Sequence, residues 1–181
     1  MARELWTIGH WVCPQDVFLG TLHGAEVDQL VDVRAQPGSR RSPQFGVDAM
    51  PDWLTAEGIG YRHLTELAGR RPRQPDAPAG ANDGWQNQSF KNYADYTLTP
   101  AYEAGVAALG ELAREHRVAI MCGEPMPWRC HRLLISNTLV ARGWTVWHLS
   151  TTAPPRRHEL GAWGATPHVD PDGVVTYPPG G

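Results

Sequence analysis

Cysteine is scarce in this sequence, with three in 181 residues. That is too few for a disulfide framework and leaves one thiol over. Free thiols in a reducing cytoplasm are therefore expected. Long apolar runs are also missing: none approaches the ~20 residues that span a bilayer. The opening residues, Met1 to Trp6, lack the apolar stretch of a secretion signal. Nor is there an excess of positive charge. The formal net charge is -3, which excludes a global attraction to nucleic acid or to an anionic membrane. Any affinity for phosphate has to come from a local cluster. Internal repeats are absent as well.

What is present suits an ordinary globular chain: 41% hydrophobic and 19% charged residues, far from the composition of disorder. The length predicts one domain over residues 1–181. Five short apolar runs read as strands: Leu5 to Ile8, Leu30 to Val33, Ile59 to Leu64, Val118 to Met121 and Thr145 to Leu149. Several are continuous rather than alternating, as for strands covered on both faces. Helical spacing fills the gaps. Pro14 to His23 ends at Gly24, Val47 to Glu57 at Gly58, and His131 to Arg142 at Gly143. In Pro100 to His116, Tyr102, Val106, Leu109 and Ala113 share one face. Alternation of this kind predicts an α/β fold of Rossmann-like character, a mostly parallel sheet flanked by helices. Residues 69–92 read as a long loop rich in arginine, proline and glycine. Residues 153–181 read as a Pro/Gly-rich tail, with a small hairpin turning at Asp170-Pro171-Asp172-Gly173.

In parallel sheets, ligands bind beyond the carboxyl ends of the strands. There the sequence puts His10 after the first strand, and Asp32, Arg34, Ser39, Arg40 and Arg41 in and after the second. Cys122 and Glu124 follow the fourth strand, Cys130, His131 and Arg132 open a helix, and His148 ends the fifth strand. A loop feeding a helix amino terminus offers unpaired N–H groups and partial positive charge. With Arg129 and Arg132 beside it, that end reads as an anion site. It resembles the loop of cysteine phosphatases in outline, but Cys122 and Arg129 enclose one residue more than that loop allows. Cys122, Cys130, His131, His148 and His10 also include ligands suited to zinc or iron, although no C-x-x-C occurs. The blander reading of Cys122 is a small buried residue at a strand end. Glu124 reads either as a general acid/base or as half of an ion pair that fixes the loop. Asp32 and Arg34 lie two apart in a strand and so face the same side. Arg70, Arg71 and Arg73 form a second basic loop, where a solvated charge run is the default. Trp85, Phe90, Tyr93 and Tyr96 read as a satellite core, with stacking faces for bases as the second reading.

Several of these motifs occur together. Thr7-Ile8-Gly9-His10, Val31-Asp32-Val33-Arg34 with Pro37, Ser39-Arg40, Pro43-Gln44-Phe45, and Cys122-Gly123-Glu124 followed by Cys130-His131-Arg132 and His148 resemble the domain-of-unknown-function 488 family. The tail segments His158-Glu159-Leu160 and Val175-Thr176-Tyr177-Pro178 are similar too. The resemblance spans nearly the whole chain, implies an α/β fold, adds weight to these positions and supplies no reaction. The long Pro/Gly-rich loop departs from the family's pattern.

The leading expectation is an enzyme-like pocket for a phosphorylated ligand, a nucleotide or a nucleic-acid end. Arg34, Arg40, Arg132 and Ser39 would bind the anion. Cys122, Glu124 and His10 would form the catalytic set. Cys130, His131 and His148 are the thiol or metal candidates of a second reading, a zinc-, iron- or redox-active protein. A third is a non-catalytic module that binds nucleic acid or a protein. No membrane partner is expected, and the oligomeric state stays open.

Overall fold

The computed structural model describes residues 3–38 and 41–180. Strands β1 (Glu4–Gly9), β2 (Gln29–Asp32), β3 (Gly60–His63), β4 (Val118–Cys122), β5 (Thr145–His148) and β6 (Arg156–Arg157) form one sheet in the order β3-β2-β4-β1-β5-β6. All neighbours run parallel except β6, which pairs antiparallel with β5. A separate hairpin joins β7 (His168–Val169) to β8 (Val175–Thr176). The helices are α1 (Gln15–Gly24), α2 (Met50–Thr55), α3 (Gln88–Tyr96), α4 (Pro100–Glu115) and α5 (Arg132–Ala141). The fold is thus α/β, as the alternation of patterns implies. No helix among the described residues is long and apolar enough to cross a membrane.

Each central strand is buried on both faces, which explains its continuous apolar run. Side chains alternate between two clusters. Trp6, Ile8, Leu30, Ala119 and Met121 pack with Phe18 and Leu22 of α1 and Met50 and Leu54 of α2. Leu5, Val31, Val118, Ile120 and Cys122 pack on the opposite face with Tyr93 of α3, Tyr102 and Leu109 of α4, and Leu133 to Ile135 of α5. The chain leaves β1 toward β2 through α1 on one face, and leaves β4 toward β5 through α5 on the other. The neighbouring carboxyl ends of β1 and β4 therefore open a crevice, where such sheets bind ligands.

Three local features differ from the sequence expectation. Residues 69–92 are not loop throughout, because α3 begins at Gln88 with the Asn87 side chain accepting from Phe90 N at 3.2 Å. The rest of that segment is tied to the tail. Gly84 N donates to Tyr177 O at 2.8 Å, and the buried Asn82 accepts from Tyr177 N at 2.9 Å. The tail also supplies β6, too short and too exposed to leave an apolar signal. Helix α2 is shorter than its spacing suggests, with Pro51 in its first turn.

Where β1 leaves the sheet, its backbone runs against the loop after β4. His10 N donates to Cys122 O and Trp11 N to Gly123 O, both at 3.0 Å. A Cβ on Gly9 would lie 1.9 Å from the Glu124 carbonyl oxygen. That is backbone against backbone, so the clash has no cheap relief. Gly9→Ala is expected to cost about 2–4 kcal/mol, read as a lower midpoint in urea denaturation.

Candidate functional site

A cleft of about 610 Å³ opens at these strand ends. His10, Arg34, Cys122, Glu124, Cys130 and His131 all line it. Arg41, Arg70 and Arg129 stand at its exposed rim. Two polar assemblies, one on each face of the sheet, build its walls.

On the α1/α2 face, Arg34 grips Asp32 through Nε at 2.9 Å and Nη2 at 2.7 Å. The Arg34 backbone N–H adds a third bond to the same carboxylate at 3.0 Å. The Tyr61 hydroxyl also donates to Asp32, and burial followed by that carboxylate raises the Tyr61 pKa. Asp32 and Arg34 thus cancel in charge, as their two-residue spacing suggests. Arg34 Nη1 lies 3.1 Å from His10 Nε2, and His10 Nδ1 lies 2.7 Å from the Trp11 carbonyl. A carbonyl only accepts, so Nδ1 carries the proton and Nε2 accepts from Arg34. His10 stacks on Phe45 at 4.6 Å. Burial, reinforced by the Arg34 charge, lowers its pKa and keeps the ring neutral.

The second assembly surrounds the thiols. Cys122 follows Val118 and Ile120 along β4, and Cys130 precedes α5, leaving their Sγ atoms 2.8 Å apart. Arg132 N donates to Cys130 Sγ at 3.5 Å, and His131 Nδ1 lies 3.4 Å from the same sulfur. Burial raises the Cys130 pKa. The Cys122 hydrogen bond, the Arg132 charge and the Arg132 N–H together outweigh it and bring the group down to about 7. The helix amino terminus acts in the same sense. Cys122 is pushed well above the ordinary thiol range by burial and by its neighbour. One thiolate is therefore favoured at this pair, and it belongs to Cys130.

His131 is buried against Tyr93, with ring centroids 4.9 Å apart, and a Cβ on Gly69 would come within 2.7 Å of its Nδ1. Burial lowers its pKa to about 4. The Val33 and Leu67 carbonyls at the ring oppose that fall.

Two expected site residues serve elsewhere. The Arg132 side chain is fully buried, not an anion ligand facing the cleft. Its Nη1 donates to Thr7 Oγ1 at 2.9 Å, and Nη2 to the Glu124 carbonyl at 2.7 Å and the Pro125 carbonyl at 3.3 Å. His148 is likewise no thiol or metal partner, because both ring nitrogens are spent. Thr7 Oγ1 accepts from Arg132 and so donates to His148 Nδ1 at 2.6 Å. His148 Nε2 then donates to His158 Nδ1 at 2.9 Å, and His158 Nε2 to Asn137 Oδ1 at 2.7 Å. Asn137 Nδ2 ends the run on the Tyr177 hydroxyl at 2.9 Å. Among the described residues, no group of three or more His, Cys, Asp or Glu side chains is placed to hold a metal. Ser39 and Arg40 lie outside the described residues.

The family described as Domain of unknown function DUF488 matches residues 15–139. The chain belongs to this family. No curated protein and no solved structure matches. The matched DUF488 segment holds Asp32, Arg34, both cleft cysteines, Glu124 and Arg132. Thr7, His10, His148, His158 and Tyr177 lie outside it.

Thr7, Tyr61, Asn137 and His158 were not singled out chemically in the sequence; Thr7, Tyr61 and His158 each secure a residue that was, and Asn137 secures His158. A polar residue inside an otherwise apolar strand or helix, as at Thr7 and Asn137, is the signal that could have found them.

Because the folded state holds His148 and His158 neutral, acid should destabilise it. Burial, then His158 and the Arg132 and Arg156 charges, lowers His148 to about 2, and burial lowers His158 to about 4. The unfolded chain takes up protons near pH 6.5, so this contribution is complete above that pH and declines as pH falls toward 4. The loss by pH 4.5 should reach about 2.5 kcal/mol per histidine. The thermal midpoint should drop between pH 6.5 and 4.5. His158→Gln, which cannot take the proton, should drop less. An equal fall in both would remove His158 as a cause.

Proposed function

We propose that the cleft binds a phosphorylated ligand, a nucleotide or a nucleic-acid end, within an enzyme-like site. The observation that carries this reading is the rim. Arg41, Arg70 and Arg129 line the opening with no ion-pair partner among the described residues, and Glu124 is the one carboxylate in the lining. Arg34 leaves one Nη1 hydrogen unspent after its bonds to Asp32, His10 and the Met50 sulfur. Local positive potential of this kind concentrates phosphates despite a negative total charge, and guanidinium forks match phosphate oxygens.

Ser89 and Asn87 supply neutral hydrogen-bonding groups, and the half-buried Phe90 and exposed Trp11 add aromatic surface to the same lining. Arginines around a partly aromatic cleft suit a ligand with an anionic end and a planar end. For chemistry, the Cys130 thiolate at the floor is the nucleophile this reading favours over Cys122. Glu124, the carboxylic residue of the lining, is the proton-transfer group of this reading. Arg132 holds the loop that carries Glu124 rather than touching the ligand.

Calorimetric titration with adenosine 5′-diphosphate, inorganic pyrophosphate and adenosine tests the reading. The two phosphate compounds should bind and adenosine should bind far more weakly. Arg70→Ala and Arg129→Ala should each weaken phosphate binding about tenfold, as for loss of one charged hydrogen bond. Affinity should also fall as salt rises. Equal binding of adenosine and the diphosphate, or unaltered affinity in both variants, would overturn the proposal.

A further inference from the structure

We infer that Cys122 and Cys130 form a hydroperoxide-reactive pair that closes reversibly into a disulfide across the floor of the cleft. The geometry is the first ground. The two sulfurs approach to 2.8 Å, so a bond of about 2.05 Å requires them to close by only about 0.8 Å. Both thiols are free and both line the cleft. They are buried, which favours a reactant as small as a hydroperoxide over a bulky disulfide.

The second ground is the asymmetry between the two sulfurs. Cys130 Sγ receives the Arg132 backbone N–H and faces His131 Nδ1, and the buried Arg132 guanidinium, whose oxygen partners are all neutral, acts on the same sulfur through its charge and a side-chain hydrogen bond. This environment holds a negative sulfur. Cys122 Sγ receives no such N–H; besides Cys130 its polar neighbour is the Glu124 carbonyl at 3.5 Å, an oxygen that offers a thiolate no stabilisation. Cys130 is thus the attacking sulfur and Cys122 the resolving one.

The chemistry balances in two steps. The Cys130 thiolate attacks one oxygen of hydrogen peroxide, the S–O bond forms, the O–O bond breaks, and hydroxide leaves into the open cleft. Cys122 sulfur then attacks Cys130 sulfur, the S–S bond forms and the S–O bond breaks. The hydroxyl departs with the Cys122 proton as water. The sulfur pair loses two electrons and the peroxide gains them, and a thiol reductant reverses the product. Cys13 belongs to the opposite face of the sheet, packed with the α1/α2 cluster, and serves as an internal control.

The experiment uses the full reduced chain with hydrogen peroxide. Trypsin cuts after Arg117, Arg129 and Arg132, so Cys122 and Cys130 fall on separate peptides, 118–129 and 130–132. Non-reducing mass spectrometry should find these two peptides joined, with Cys13 still alkylatable. The three thiols titratable after denaturation should fall to one and return with dithiothreitol. In Cys122→Ser, Cys130 should accumulate as sulfenic acid trapped by dimedone. Cys130→Ser should leave Cys122 unmodified at the same dose. The wild-type measurements stand whether or not either variant folds. Three surviving thiols at doses that oxidise free cysteine, a linkage through Cys13, or prior sulfenylation of Cys122 would each overturn the inference.

Discussion

The guanidinium of Arg132 lies at the head of α5, shielded from water and held by the Thr7 hydroxyl and the carbonyls of Glu124 and Pro125. A buried cation whose oxygen partners are all neutral is costly, and it changes the chemistry around it. The nearby sulfur that can become an anion, Cys130, is drawn toward its thiolate form. The carbonyls that Arg132 holds belong to the loop after β4, so the same side chain sets the shape of the cleft floor. Through Thr7 it also determines which nitrogen of His148 is protonated, and so the direction of the bonds running to His158, Asn137 and Tyr177. Cleft and tail are thereby organised by one charge.

The opposite wall follows a different logic. Asp32 and Arg34 neutralise each other within β2 and its exit, and Tyr61 and His10 complete their hydrogen bonding. Full pairing makes that wall rigid without making it strongly charged. The positive character of the opening therefore rests on Arg41, Arg70 and Arg129, whose guanidinium groups remain toward solvent. Two residues at this rim, Trp11 and Arg70, have φ of 45° and 55°. Residues with a side chain rarely occupy that region, so the surrounding structure has to hold them there.

The five main strands and four of the helices were legible in the sequence because burial on both faces leaves uninterrupted apolar runs, and because glycine marks helix ends. Helix α3 was hidden by its surroundings. Its Asn87 cap and the spacing of Phe90, Tyr93 and Tyr96 follow a stretch dominated by arginine, proline and glycine. Strand β6 had no apolar signal to offer, since its two residues are arginines on the sheet edge.

For the site, sequence determined which groups are available and, through the rule for parallel sheets, the edge at which His10, Arg34, Cys122, Glu124 and Cys130 would gather. The Asp32–Arg34 pairing was also implied, since alternate residues of a strand share a side. Tertiary structure alone decided which groups face the cleft. Arg129 and Arg132 are three residues apart beside the same helix start, yet one reaches solvent and the other is sealed beneath the sheet. His148 ends a strand as His10 does, yet it turns toward a tail histidine. Such choices depend on which side of each turn is covered by chain distant in sequence, and local spacing carries no record of that.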